Sequence, residues 1–156
     1  MKRTLTLLAP LLLFAGLALA QDFDRALGEQ TYNNCSGCHQ ASGAGLPGVF
    51  PALAGHTPTL VAVEGGRSYL IDVLLYGLQG EIVVLETSYN GIMPPWGQFS
   101  DEQVAAVLNH VLSAWDNEAA LPEDFAFITP EEVAAQRETA MTAQQVYELR
   151  QTLNLP

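Results

Sequence analysis

The chain is poor in positive charge. Its 156 residues carry 6 Lys+Arg against 17 Asp+Glu, a formal charge of −11, and the single lysine is Lys2. A protein this acidic does not hold nucleic acid by neutralising phosphates, and it has no basic surface for anionic lipid. Cysteine is scarce as well. Cys35 and Cys38 are the only two, so a disulfide-stapled mini-scaffold is excluded. Glycine and proline are too few and too scattered for a collagen-like or low-complexity chain. The hydrophobic share of 49% is too high for intrinsic disorder. Length alone suggests one domain, and no internal repeat is visible.

Residues 1–20 read as a signal peptide. Lys2 and Arg3 form a short basic start, Leu5 to Leu19 is almost wholly apolar, and Ala18-Leu19-Ala20 offers a small-x-small cleavage site before Gln21. The alternative is an uncleaved anchor, but the stretch falls short of the ~20 residues a spanning helix needs, and Pro10 interrupts it. Cleavage would leave four cations, Arg25, Arg67, Arg137 and Arg150, and a charge of −13. The expected location is the periplasm or the cell surface, where disulfides are permitted.

The two cysteines stand in Cys35-Ser36-Gly37-Cys38-His39. A thioredoxin-like pair would need a preceding strand and a βαβ frame, and the approach from Phe23 to Asn34 reads as helix. A zinc site needs four ligands. His39 and His56 could complete a set, but adjacent Cys38 and His39 rarely reach one metal. Covalent attachment of one haem c fits best. Two thiols one helical turn apart add to the two vinyl groups of a porphyrin, and the next residue places its imidazole under the iron. The porphyrin would also supply a flat apolar surface to a chain with a modest core.

The second axial position needs another ligand. Met93 lies in Tyr89-Asn90-Gly91-Ile92-Met93-Pro94-Pro95-Trp96, where Asn90-Gly91 suits a tight turn and the two prolines stiffen the chain beyond Met93. A rigid loop beyond the proximal histidine makes Met93 the expected thioether ligand. Met141 lies between two helical patterns and reads as packing. His56 and His110 are the rivals. His110 falls opposite the apolar stripe of Val104, Val107, Leu108, Val111, Leu112 and Trp115, which predicts a solvated imidazole. His56 follows a loop, Pro51 to Gly55.

The pattern predicts an all-α chain with one possible short β-hairpin. Helices are expected over Phe23–Asn34 with Asp22 as N-cap, Pro58–Glu64 with Thr57 as cap, Arg67–Tyr76 ending at Gly77, and Ser100–Trp115 with a Ser100/Gln103 capping box. Glu81 to Leu85 reads as a short strand that could pair near Tyr89. After a linker over Asn117–Thr129, two capped helices start at Thr129 and Thr142. The expected division is a signal peptide at 1–20, a haem domain at 21–116 and a helical extension at 117–156 that packs on it.

These residues resemble the class I cytochromes c. The haem motif, the Gly28/Tyr32 helix, the Asn90-Gly91-Ile92-Met93-Pro94 segment and the last core helix occur in that family's order. Further strings, such as Leu46-Pro47-Gly48-Val49-Phe50-Pro51 and Val73-Leu74-Leu75-Tyr76-Gly77, resemble the Thermus-type c-552 subgroup with its extended tail. The resemblance implies a class I fold around haem c, His39/Met93 ligation, and a Pro47 carbonyl accepting the proximal imidazole N–H. It also implies a monomeric, soluble carrier. Such a carrier takes single electrons from a bc1-type or equivalent quinol:cytochrome c reductase and delivers them to a terminal cytochrome c oxidase. The subgroup's tail lysines are missing here, so a cationic docking ring is excluded. Salt should then weaken encounter with a basic partner and strengthen it with an acidic one, while salt independence would mark apolar docking through Leu46, Val49 and the Met93 side. The rival readings are a fixed haem subunit of a larger enzyme, a haem sensor or peroxidase in which Met93 leaves the iron, and a zinc module.

Overall fold

The computed structural model describes residues 23–155. The expected signal peptide at 1–20 and the expected cap Asp22 lie outside that range. Helix α1 (Arg25–Tyr32) starts at Asp24, whose carboxylate accepts from the Leu27 N–H at 2.9 Å. A short α2 (Ser36–His39) carries the haem motif, and α3 (Thr57–Val61) and α4 (Gly66–Tyr76) follow. Strands β1 (Leu78–Val84) and β2 (Thr87–Met93) form an antiparallel hairpin. Helix α5 (Asp101–Ser113) has the Ser100/Gln103 capping box. A 3₁₀ turn at Asn117–Ala120 leads into α6 (Pro130–Arg137) and α7 (Ala143–Thr152), each opened by a capping box at Thr129 or Thr142.

Helices α1 and α5 cross closely because Gly28 has no side chain. A methyl there would stand 2.9 Å from the His110 Cβ and closer still to the Ala106 carbonyl. Tyr69, Leu70, Ile71, Leu74 and Leu75 make α4 buried nearly all round, as its unbroken apolar run requires. Gly77 ends it with φ 78°, and its bare Cα lets the Met93–Pro95 backbone pass behind it.

The hairpin is longer than expected, and Asn90-Gly91 is not its turn. Those residues sit inside β2, opposite Glu81 and Gly80. Alternation decides the register. Leu78, Ile82, Val84 and Tyr89 all face inward, which fixes Ile82 opposite Tyr89. The turn therefore falls on Leu85-Glu86, both left-handed at φ 47° and 64°. Leu85 and Ile92 are left exposed at 56% and 69%.

The tail closes the core. Val133 and Val146 are wholly buried in the same cluster as Val104, Val107 and Leu112. Helix α6 packs on α5 and α4, and α7 packs on β1 and α4. Buried Asn109 reads the incoming linker like a strand partner. Its Nδ2 donates to the Ile128 carbonyl and its Oδ1 accepts from the Ile128 N–H, both at 2.8 Å. Arg67 joins Glu132 at 2.7 Å and donates to the carbonyls of Ala126 and Phe127. Asp72 is fully buried on α4. Its Oδ2 accepts from Gln136 Nε2 at 2.9 Å, while its Oδ1 has no partner. Burial pushes this carboxyl up from 3.8 to about 6, against the smaller opposing effect of the Gln136 bond.

Two stability predictions result. Replacing Leu85-Glu86 by Asn-Gly, which suit paired left-handed residues, should stabilise the protein by about 1 kcal/mol in urea titration. An unchanged or lower midpoint would contradict the turn geometry. For Asp72, the fold holds a proton that the unfolded chain releases, so its contribution to stability falls as pH rises from about 4 through about 6. Asp72→Asn should flatten that dependence and raise stability at neutral pH by about 1–3 kcal/mol. Parallel melting-temperature profiles for the two proteins would refute this.

Candidate functional site

A deep cleft of about 1140 Å³, counting its mouth, opens between α2, the Val49–Leu53 loop, α4, the hairpin and α5. Its walls are almost wholly apolar, with Leu70, Leu74, Leu78, Ile82, Val107, Leu108 and Val111 among them. Cys35, Cys38, His39 and Met93 all line it. Four residues from two distant stretches of sequence thus meet at one apolar space. His39 is the one imidazole and Met93 the one thioether among the lining residues.

The motif segment is built for this. Cys35 closes the turn after α1 through its N–H to the Tyr32 carbonyl at 2.8 Å, and the His39 N–H returns to the Cys35 carbonyl at 3.0 Å. One helical turn therefore separates the two thiols. Neither forms a disulfide. Burial, then the neighbouring Cys38, pushes the Cys35 thiol up to about 11, the opposite of a reactive dithiol. Among the described residues no group of three or more His, Cys, Asp and Glu could hold a metal ion, which removes the support for a zinc module.

His39 is buried, with its Nδ1 2.9 Å from the Pro51 carbonyl. A carbonyl only accepts, so Nδ1 carries the proton and Nε2 keeps its lone pair. Burial lowers the imidazole's pKa, more than the Pro51 contact raises it. The carbonyl partner is a correction: Pro47 does not fill that role. Leu46 and Phe50 bridge each other, closing a tight turn that leaves Pro47 exposed at its tip. The chain comes back to His39 only at Pro51.

Met93 is the last residue of β2, paired with Leu78, rather than part of the rigid loop expected. His56 and His110 do not line the cleft. His110 is half-buried, not solvated, because α1 covers that side of α5. Its ring centroid lies 5.3 Å from that of Tyr32 and 5.9 Å from that of Trp115. Trp115 itself lies beyond the end of α5 with φ 53°. His56 borders a separate groove with Arg150. Burial and then the Arg150 charge lower its pKa to about 4, so it is neutral near pH 7.

One feature was not read from the sequence. Arg150 is a buried cation whose partners are neutral, the Tyr69 hydroxyl at 3.3 Å and the Val83 carbonyl at 3.0 Å. An unpaired buried charge costs several kcal/mol. The amphipathic pattern of α7 marked Val146, Leu149 and Leu153 as inward, and nothing in it set Arg150 apart.

The donor set and the cleft fit a covalently held porphyrin: two thiols one turn apart, an imidazole with its Nε2 free, and apolar walls. Comparison with known proteins agrees. A family model described as cytochrome c matches residues 26–115, and the chain belongs to the cytochrome c family. It is an electron-transfer protein, not an enzyme, and its cofactor is one covalent haem c. Among particular relatives, one cytochrome c-552 of Thermus thermophilus is 50% identical over 155 residues, 99% of both chains. A second Thermus thermophilus cytochrome c-552 is 50% identical over 131 residues, 84% of this chain and 99% of the relative.

Proposed function

We propose that Cys35 and Cys38 hold the haem by thioether bonds, that His39 and Met93 ligate its iron, and that the protein shuttles single electrons to a terminal cytochrome c oxidase. The observation that carries the ligand assignment is the cleft lining, which contains His39 and Met93 but neither His56 nor His110. Haem c supplies one-electron Fe(III)/Fe(II) chemistry. The residues of this chain set its conditions. The Pro51 carbonyl orients His39 and raises its basicity. The apolar walls exclude water and favour the less charged ferrous state, as does a thioether ligand.

Export after removal of residues 1–20 would put the carrier in the periplasm or at the cell surface, with a bc1-type quinol:cytochrome c reductase as donor. Among the described residues no helix is long and apolar enough to cross a membrane.

The surface around the cleft supports apolar docking. No Asp, Glu, Lys or Arg occurs between Glu29 and Glu64, or between Glu86 and Asp101. These are the segments that carry the haem motif, Met93 and the cleft mouth. Leu46, Val49 and Ile92 are exposed there at 49%, 51% and 69%. No residue that lines the cleft is charged, although Glu81 is exposed on β1 between the lining residues Gly80 and Ile82.

In the ferric protein, Met93→Ala should abolish the near-infrared sulfur–iron charge-transfer band and lower the midpoint potential, while His56→Ala and His110→Ala retain the band. A band that survives Met93→Ala would refute the assignment. The rate of reaction with oxidase should change by less than about threefold between low and physiological salt. A steep salt dependence would instead show that charge governs docking.

A further inference from the structure

The tail makes a contact whose position, next to the Met93 segment, exceeds what packing requires. Met93 is held on one side by its pairing with Leu78. On the other side run Pro94 and Pro95, whose fixed φ makes a short stiff arm. The far end of that arm is tied where the Trp96 N–H donates to the Leu74 carbonyl at 2.8 Å. The Trp96 and Phe99 rings stack at 5.0 Å. Residues 97–99 then cross to α5 without helix or strand of their own.

Arg137, the last residue of α6, closes on this crossing with its whole guanidinium. Nη1 donates to the Gly97 carbonyl at 2.7 Å, Nη2 donates to the Phe99 carbonyl, and Nε joins Asp101 Oδ1 at 2.5 Å. The planar fork suits three acceptors in one plane, which a lysine could not satisfy. The base of the fork is anchored independently. Val133 is wholly buried, and the Tyr76 hydroxyl lies 2.9 and 2.8 Å from the carbonyls of Gln136 and Arg137. The clamp therefore joins a fixed helix to a segment whose other ties are the Phe99 N–H to the Trp96 carbonyl and the packing of Trp96 and Phe99 against the core.

We propose that Arg137 is a positioning residue for the sixth ligand: it immobilises residues 97–99 and so keeps the Met93 thioether seated in the cleft. The proposal rests on Met93 being the ligand. It gives the tail a role in the redox site as well as in the core. Loosening the crossing would leave the Trp96–Leu74 hydrogen bond to hold the far end of the Pro94-Pro95 arm without support from beyond it, so Met93 would leave the iron more often, without any change to the cleft walls.

The test uses ferric holoprotein and imidazole as the competing ligand, following loss of the near-infrared sulfur–iron band. Arg137→Gln should speed displacement about tenfold, since it removes charge-assisted bonds to two carbonyls and a carboxylate. Asp101→Asn should act in the same direction by a smaller factor, and it keeps the test open if Arg137→Gln does not accumulate. Leu60→Ala loosens the core at α3 without touching α6 or residues 97–99, and it should leave the rate within about twofold. That pattern supports the clamp. Unchanged rates in both Arg137→Gln and Asp101→Asn, or rates in all three variants that follow lost thermal stability, overturn it. Met93→Ala separates the two failures. If it keeps the band, the ligand assignment falls and the clamp with it. If the band is lost and Arg137→Gln is silent, the clamp alone is wrong.

Discussion

An apolar cleft that the chain does not fill governs this structure. Leu70 and Leu74 from α4, Ile82 and Tyr89 from the hairpin, and Val107, Leu108 and Val111 from α5 all face one space. Left to water, those walls would lose the burial that drives short helices together. Several elements are too short to stand alone, with α2 at four residues and α3 at five. A flat apolar cofactor, fastened at Cys35 and Cys38 as proposed above, would complete the packing. The covalent motif therefore serves the fold as much as the redox chemistry.

Around that cleft, the chain separates rigid supports from a neutral mouth. One wall is set by a helical turn and the Pro51 carbonyl behind His39. Another part of the lining is set by β-pairing and two prolines at Met93. Tail and haem domain are then locked together by Asn109 of α5 and Arg67 of α4, which bind backbone groups of the linker, and by Arg137 of α6, which binds carbonyls of residues 97–99. These connections lack helix or strand pairing of their own, so polar forks hold them where packing cannot. The negative charge is kept off the residues that form the mouth. What looks in the composition like an electrostatic signature stops at the cleft, whose lining carries no charged side chain.

Much of this was legible in the sequence because it depends on local chemistry. Cys35-Ser36-Gly37-Cys38-His39 points to the cofactor from five consecutive residues, and the Ser100, Thr129 and Thr142 capping boxes set three helix starts. The misreadings share one cause, which is tertiary context overriding a local preference. Asn90-Gly91 is a strong turn signal, yet burial of Ile82 and Tyr89 moved the turn to Leu85-Glu86 at the cost of two left-handed side chains. His110 lies opposite the main apolar stripe, but a second helix covers that face at Gly28. Pro47 lies at the tip of a tight turn and Pro51 just past its closure, and local composition does not encode which carbonyl reaches His39. Arg150 was invisible for a related reason: a charge on an amphipathic helix reads as solvated until β1 and Tyr69 are seen to cover it.

The central claim is that the cofactor is part of the core. The most direct measurement compares the holoprotein with Cys35→Ala/Cys38→Ala, which cannot be fastened to haem, by far-ultraviolet circular dichroism across a urea titration. The variant should lose much of its helical signal and its cooperative transition. A variant with the holoprotein's helix content and an unchanged unfolding midpoint would contradict the claim.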